Sequence, residues 1–478
     1  MNIATILDMA VDGFGERVAI GPREGGLRVR DLRERARGLA AHLPPGITAL
    51  ATLAPTDELT PIALFGAAEA GVSYAPLNFR LPEEVQTELL DRIRPVAVLD
   101  PAWAVADTAA RPYPEAPEHP AVLLFTSGTS STPKVAVLDH DNLLAYVFNT
   151  LDFASADEDE AVLVAVPPFH IAGVAAILSA TFVGRRVVPL AHFDATGWCT
   201  VAKDEAVTHA FVVPTMLARI IEVIEHDRAA VPPTLRHLAY GGARMPLPVL
   251  ERALTLLPDV AFVNAYGLTE TSSTVCVLGP DDHRTALESR DPAVRARLTC
   301  AGRPVPGIEI RIVNGDNAPV GADLVGEIQL RGAQIGGRYI EGDGRLAADG
   351  WLSTGDNGWL DGEGYLFVEG RGDGTIIRGG ENIAAAEVED ALLAHPGVSA
   401  AAVVGLPDPE WGEAIAAMVA ARPGAVVTSE ELRDFAHEHL GSLKTPEVVV
   451  VREALPQTAT GKILHRMVRE ELLGLHDR

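Results

Sequence analysis

From residue 121 to residue 264 the chain repeats one pattern, a short apolar run followed by a longer stretch with apolar residues at helical spacing. The runs at 121–125, 161–166, 209–213 and 261–264 read as buried strands. Helices such as 215–225 and 249–257 separate them, the latter with Pro248 just ahead, where a helix start tolerates proline. Strands alternating with helices in this way imply an α/β architecture with parallel sheets. The earlier residues keep the same texture, with helices at 32–43 and 62–71, a glycine stop at Gly71, and a strand at 72–76.

Beyond residue 300 the texture changes to short strands, 308–313 and 326–331 among them, and glycine-rich turns. A second change follows Gly370-Arg371-Gly372-Asp373-Gly374. There the pattern predicts a helix at 386–394, strands at 398–404 and 415–421, a helix at 429–440 and a terminal helix at 462–473. That is a small α+β unit. The glycines around Asp373 read as a hinge between a large and a small domain, or as an ordinary turn. The expected division is an N-terminal domain over 1–372 and a C-terminal domain over 373–478.

Charge narrows the function. The 478 residues carry a net charge of −26, which argues against nucleic acid and against anionic lipid as partners. No apolar run is long enough for a membrane span. The first residues lack a basic segment and Asp8 interrupts their apolar stretch, so no signal peptide is expected. Cys199, Cys276 and Cys300 lie far apart with no CxxC, which points to a reducing, cytoplasmic location rather than to disulfides or zinc. Only four of the 39 basic residues are lysines: Lys134, Lys203, Lys444 and Lys462. Where arginine is so favoured, a retained lysine reads as chance survival or as a site that needs a compact ammonium.

Four stretches carry chemistry. Leu123-Leu124-Phe125-Thr126-Ser127-Gly128-Thr129-Ser130-Ser131-Thr132-Pro133-Lys134 runs from a strand into hydroxyls and glycine and ends on a lysine. Such a loop offers phosphate oxygens backbone and hydroxyl donors plus a cation, or is simply a solvated Ser/Thr loop. It is not a Walker A loop, because GxxxxGK[ST] is absent. In Asn264-Ala265-Tyr266-Gly267-Leu268-Thr269-Glu270-Thr271, Tyr266 offers a flat face to a base and Glu270 a hard oxygen to Mg²⁺. A strand-end turn would look the same. In Trp351-Leu352-Ser353-Thr354-Gly355-Asp356-Asn357-Gly358, Asp356 could accept from both hydroxyls of a ribose, or serve only the turn. Last, Thr460-Gly461-Lys462 presents a lysine on a glycine turn.

In this order the four stretches resemble the adenylate-forming superfamily of acyl- and aryl-CoA synthetases, luciferases and adenylation domains. The likeness extends from Ala75-Pro76-Leu77-Asn78 to Gly461-Lys462 and takes in Val166-Pro167-Pro168-Phe169-His170, Val213-Pro214-Thr215, Gly241-Gly242-Ala243 and Trp411-Gly412-Glu413. Lys134, Lys444 and Lys462 all fall within family motifs. The resemblance implies a large domain of parallel-rich sheets and helices with a β-rich subdomain, followed by a small mobile α+β domain.

It further implies that Thr126, Ser127, Gly128, Thr129 and Lys134 handle ATP phosphates. Gly241, Gly242, Ala243, Asn264 and Tyr266 would surround adenine, and Asp356 and Arg371 the ribose. Thr269 would serve the α-phosphate and Glu270 the Mg²⁺. His170, Val212, Val213, Pro214, Gly241, Gly267 and Leu268 would line the acid's pocket. Lys462 would bridge the acid's carboxylate and the α-phosphate, and Asp373 would be the hinge. The implied reaction forms an acyl adenylate and pyrophosphate, then a thioester of coenzyme A. The alternative acceptor is the phosphopantetheine of a carrier protein, or a partner enzyme. Phe169, His170 and Ile171 stand where amino-acid-activating members carry an aspartate, so the expected substrate is a small carboxylic acid without an α-amino group.

The chain departs from the family at Ser131 and Val135, where glycines are common, at Gly374, where an acidic residue is frequent, and at Ala385, where proline is common. The last two fall on the side used for thioester formation. Two rival classes are a kinase or P-loop NTPase, which lacks its motif here, and a non-catalytic adenylate sensor. Joint retention of Lys462, Glu270, Asp356 and Arg371 speaks against the sensor.

Overall fold

Neighbouring strand residues point to opposite faces of a sheet, and here that alternation sorts them into separate cores. Leu50, Tyr74, Val122, Leu124 and Leu138 enter one apolar cluster, while Ala51, Ala75, Leu123, Val135 and Val137 enter another. In a second sheet Val164 and Val187 join the first cluster, whereas Leu163 and Val188 face away into a third. The first cluster also holds residues of the helices Ala4–Phe14, Val29–His42, Leu59–Ala70, His140–Thr150 and Ile171–Val183. These helices are therefore packed between two sheets, and further helices cover the outer faces. Ala49–Thr52 and Ser73–Pro76 are buried along their whole length, and Ala161–Val164 and Arg186–Pro189 nearly so, which is why these parallel strands read as near-continuous apolar runs.

The computed structural model describes residues 1–478 except 108, 110–111, 127–132, 343, 372–374, 379–380, 409–410, 459–460 and 477–478. The larger sheet has nine strands, parallel from Ala261–Leu268 across His237–Gly241, His209–Val212, Ala161–Val164 and Arg186–Pro189 to Val18–Ile20, with antiparallel strands at both edges. The six-stranded sheet is parallel through Val122–Thr126, Ser73–Pro76, Ala49–Thr52 and Val96–Val98. Lys134–Leu138 and Arg338–Tyr339 extend it antiparallel. Ile308–Val313, Gly326–Gly332, Leu352–Leu360 and Leu366–Arg371 form the β-rich subdomain, an antiparallel sheet of four.

The C-terminal unit repeats the alternation on a smaller scale. Ala401 and Val403 face the helices Ala385–Leu393 and Ser429–Leu440, while Ala402 and Val404 face the terminal helix His465–His476. None of the apolar clusters among the described residues joins this unit to the large domain.

Three boundaries differ from the sequence pattern. The strand expected at 261–264 continues to Leu268, because its residues pair with Ser273–Leu278, a strand the apolar pattern did not reveal. The helix expected from 249 begins at Leu247, with Pro248 inside its first turn. The terminal helix starts at His465 rather than 462. Lys462 precedes it in a hairpin, where the Thr458 N–H donates to the Lys462 carbonyl at 2.7 Å and Gln457 pairs with Ile463.

Candidate active site

The parallel strands end on one side of the larger sheet, and the sequence motifs follow their carboxyl ends, the usual place for a ligand in an α/β fold. His170 follows Ala161–Val164, Thr215 follows His209–Val212, Gly242 and Ala243 follow His237–Gly241, and Thr269 and Glu270 follow Ala261–Leu268. Two glycines permit this convergence. A β-carbon on Gly241 would lie 2.2 Å from the Ala265 carbonyl oxygen, and one on Gly267 would lie 1.9 Å from that of Ser273. The second contact sits at a register shift after Tyr266, opposite Ser272 and Ser273, which hold φ of 54° and 118°. Positive φ at consecutive non-glycine residues is a strained arrangement that the surrounding structure must enforce.

That enforcement comes from the segment after Gly332. Gln334 Nε2 donates to the Thr271 and Thr274 carbonyls at 3.1 and 2.9 Å. The Gly336 and Gly337 N–H groups donate to the Glu270 carbonyl at 2.9 and 3.1 Å. The Tyr339 hydroxyl donates to Glu270 Oε1, and Glu270 is only 8% exposed. Lys134 Nζ stands 5.2 Å from the Tyr339 ring centroid. Tyr339 thus touches two residues singled out from sequence. It was missed because Gly336-Gly337-Arg338-Tyr339 reads locally as a turn.

Glu270 suits Mg²⁺ as a partner. No hydrogen bond from a described residue reaches its second carboxylate oxygen, and no group of three or more His, Cys, Asp or Glu side chains among the described residues could cage a metal. A lone carboxylate is the donor set of an ion that otherwise keeps waters and nucleotide phosphates.

Thr126 ends its strand opposite Lys134, and its Oγ1 donates to the Lys134 carbonyl at 3.2 Å. Ser127, Gly128 and Thr129 lie outside the described residues, as does Asp373. Asp356 is buried and accepts at Oδ2 from the Tyr266 hydroxyl at 2.7 Å. Burial and that carboxylate push the Tyr266 phenol well above its ordinary range, so it stays a donor. Asp356 and Arg371 are direct partners across an antiparallel pair. Asn264 Nδ2 donates to the Cys300 carbonyl at 2.8 Å, fixing the strand ahead of Tyr266.

His170 begins the helix Ile171–Val183 with its ring 4.8 Å from that of Phe169. Burial, then the charges of Lys462 and Arg80, press its imidazole down to about 4. It is neutral at physiological pH. Val212 is not part of this group: it is fully buried in the outer core with Leu217 and Leu238. The side chain beside the glycine turn is that of Val213, whose Cγ1 would stand 3.6 Å from a β-carbon on Gly242.

The C-terminal unit contacts the large domain beside these strand ends. A β-carbon on Gly461 would lie 2.4 Å from Thr215 Oγ1, which sets the Lys462 hairpin against the first turn of the helix Pro214–His226. Arg244 ion-pairs with Asp390 at 2.6 Å and donates to the Ala386 carbonyl at 2.9 Å, and Arg422 pairs with Glu222 at 2.7 Å. The two departures described here have plain structural roles. Val135 is fully buried under the helix Glu83–Asp91. Ala385 opens the helix Ala385–Leu393, where the family's proline would be tolerated and alanine is equally suited.

The AMP-binding enzyme family matches residues 91–340, and the AMP-binding enzyme C-terminal domain matches 387–462. A fatty acid–[acyl-carrier-protein] ligase of Streptomyces coeruleorubidus is 33% identical over 473 residues, covering 91% of this chain and 88% of that protein. A feruloyl-CoA synthase of an Amycolatopsis species is 34% identical over 466 residues, 92% of each. The o-succinylbenzoate CoA synthetase of Bacillus subtilis, solved with its acyl-adenylate intermediate, superposes with a TM-score of 0.81 at 27% identity, over 97% of both chains.

Proposed function

The chain belongs to the AMP-binding enzyme family, and from that premise we propose how its residues divide the work of an AMP-forming acid–CoA ligase. It activates a carboxylic acid with ATP, releasing pyrophosphate and forming an acyl adenylate, and then passes the acyl group to the thiol of coenzyme A. Coenzyme A is a co-substrate; ATP and Mg²⁺ serve the first step.

The observation that carries the division of roles is the placement of Lys462. A hairpin from the C-terminal unit lies against Thr215, and its ammonium is close enough to depress His170. In our reading Lys462 stands between the acid's carboxylate and the α-phosphate, relieving their repulsion as the oxygen attacks phosphorus. Thr126, Lys134 and the loop between them take the β- and γ-phosphates. Thr269 donates to the α-phosphate. Mg²⁺, held through Glu270, would neutralise phosphate charge. Gly241, Gly242, Ala243, Asn264 and Tyr266 frame the adenine, and Asp356 with Arg371 takes the ribose. The acid lies near His170, Gly267 and Leu268, with Val213 rather than Val212 beside the glycine turn.

A neutral His170 offers no counter-charge to an ammonium, which supports an acid lacking an α-amino group. Relatives named for ferulate and fatty acid bracket that class. The separate apolar cores and the polar contacts between them support a domain division at 372/373, with Asp373 as the hinge for the second step. A cytoplasmic location fits three buried free cysteines, and no helix among the described residues is long and apolar enough to cross a membrane.

The test is acid-dependent exchange of pyrophosphate into ATP over a panel of aryl and fatty acids, followed by acceptor assays. Formation of ADP without exchange would sink the adenylation roles. The carrier-protein relative gives one specific alternative: adenylate formation with thioester appearing on a phosphopantetheinyl carrier but not on coenzyme A would establish it.

A further inference from the structure

The loop between Thr126 and Lys134 leaves the six-stranded sheet on one strand and returns on its neighbour. A phosphate loop works only if its two roots are fixed, and here the returning root is held by side chains in addition to the ladder. Arg92, just past the helix Glu83–Asp91, donates from Nη1 to the Pro133 carbonyl at 2.6 Å. Its other terminal nitrogen meets Glu341, and its guanidinium carbon lies 5.9 Å from the ring centroid of Phe125 on the outgoing strand.

Glu341 completes the arrangement. The short strand Arg338–Tyr339 pairs with Val137 and Ala136, and the Ile340 N–H still reaches the Val135 carbonyl at 3.0 Å. At the next step the partner backbone has left the sheet, and Glu341 Oε2 accepts the Val135 N–H at 3.2 Å instead. A carboxylate thus extends the ladder by one rung, up to the residue beside Lys134. The same short segment carries Tyr339, which touches both Lys134 and Glu270. Phe125, Pro133 and Val135 are therefore linked through the Arg92 guanidinium and the Glu341 carboxylate. Arginine suits the position because its planar fork serves two acceptors at once.

We propose that Arg92 and Glu341 are positioning residues that clamp the root of the Thr126–Lys134 loop and so set Lys134 for the phosphates of ATP. The proposal rests on the reading of that loop as the phosphate site. A clamp on β- and γ-phosphates matters while ATP is bound and not afterwards, since an acyl adenylate carries neither.

The experiment compares wild type with Arg92→Ala, Arg92→Lys and Glu341→Gln, and with Thr129→Ala as a direct probe of the loop. Read out are KM for MgATP and for the acid in pyrophosphate exchange, thioester formation from a supplied acyl adenylate, and melting temperature. Arg92→Ala is expected to raise KM for MgATP by about ten- to a hundred-fold, the scale of a displaced binding group, with KM for the acid and the supplied-adenylate rate unchanged. Arg92→Lys should fall between, because an ammonium cannot hold both acceptors in one plane. Glu341→Gln, which keeps an acceptor for Val135, should move the same parameter less and covers the case in which Arg92→Ala does not fold. If both KM values and the thioester rate worsen together, the pair is general scaffold and the clamp is refuted. If Thr129→Ala raises KM for MgATP while the Arg92 and Glu341 variants do not, the loop reading stands and the clamp alone fails. An unchanged KM in Thr129→Ala overturns the loop reading, and the clamp with it.

Discussion

Lys134 and Lys462 are both retained in a chain that otherwise favours arginine, yet the structure mounts them in opposite ways. Lys134 begins a strand paired on both sides, and the residue after it is fully buried. Lys462 sits on a hairpin of a unit whose apolar cores are its own. The ion pairs Arg244–Asp390 and Arg422–Glu222, which tie this unit to the large domain, involve partly exposed side chains. Such pairs contribute only about 0–1 kcal/mol each. Lys134 is thus built into a continuous sheet, while Lys462 is carried by a unit with apolar cores of its own. Under the proposed division of roles that asymmetry has a use, because the second step would keep the adenylate and exchange what faces it.

The sharpest way to break this contrast is to damage each side and follow both half-reactions. Glu270→Gln on the fixed side should lower adenylation by about 10³-fold or more, since a neutral amide is a poor ligand for a hard cation; near-normal exchange would leave Glu270 a structural residue. Lys462→Ala on the movable side should cost about 10²–10³-fold in adenylation and spare thioester formation from supplied adenylate. Lys462→Arg should not rescue it, because the fork is bulkier and differently directed. Asp373→Pro should show the converse, sparing adenylation and slowing the thioester step by restricting φ. Equal loss of both half-reactions in both variants would mean that domain rotation does not separate the steps.

A smaller effect sharpens the picture of the interface. Arg244→Ala combined with Arg422→Ala should slow adenylation by less than about ten-fold and leave the melting temperature of the large domain in place. A shift of the main transition would show that the two bodies share stability.

The smallest effect is pH dependence. His170 and His140 are pressed down to about 4 and His209 to about 3, all chiefly by burial. A depressed imidazole binds fewer protons folded than unfolded between these values and its ordinary value of about 6.5. The stability it contributes is therefore full above about 6.5 and is lost as pH falls through the folded values. Melting temperature should decline across that window, and less steeply in His170→Asn. An identical slope in that variant would remove His170 from the acid-sensitive set.

Much of the site was legible because its chemistry is written in short stretches. Strand–helix alternation fixed the α/β class, since a parallel strand must be apolar on both faces and helices must cover it. The residues around Lys134, Glu270, Asp356 and Lys462 pointed to a nucleotide and an acid as candidates, because hydroxyls, glycines and single charges at strand ends suit that chemistry. Boundaries were less legible. The strand ending at Leu268 outruns its apolar pattern because an antiparallel neighbour sustains it. Val212 and Val213 could not be told apart, because a one-residue difference decides which face of the sheet a side chain takes.

The sequence by itself determined the class of fold and nominated the candidate residues it carries, because turn chemistry and hydrophobic period act over a few residues. Only the tertiary structure decided what aims them. Tyr339 meets Glu270 across 69 residues of sequence, Val135 meets Glu341 across 206 and Arg92 meets Glu341 across 249. No local pattern encodes such encounters: they follow from which strands pair and where each ladder stops, and that is settled by burying all the sheets at once.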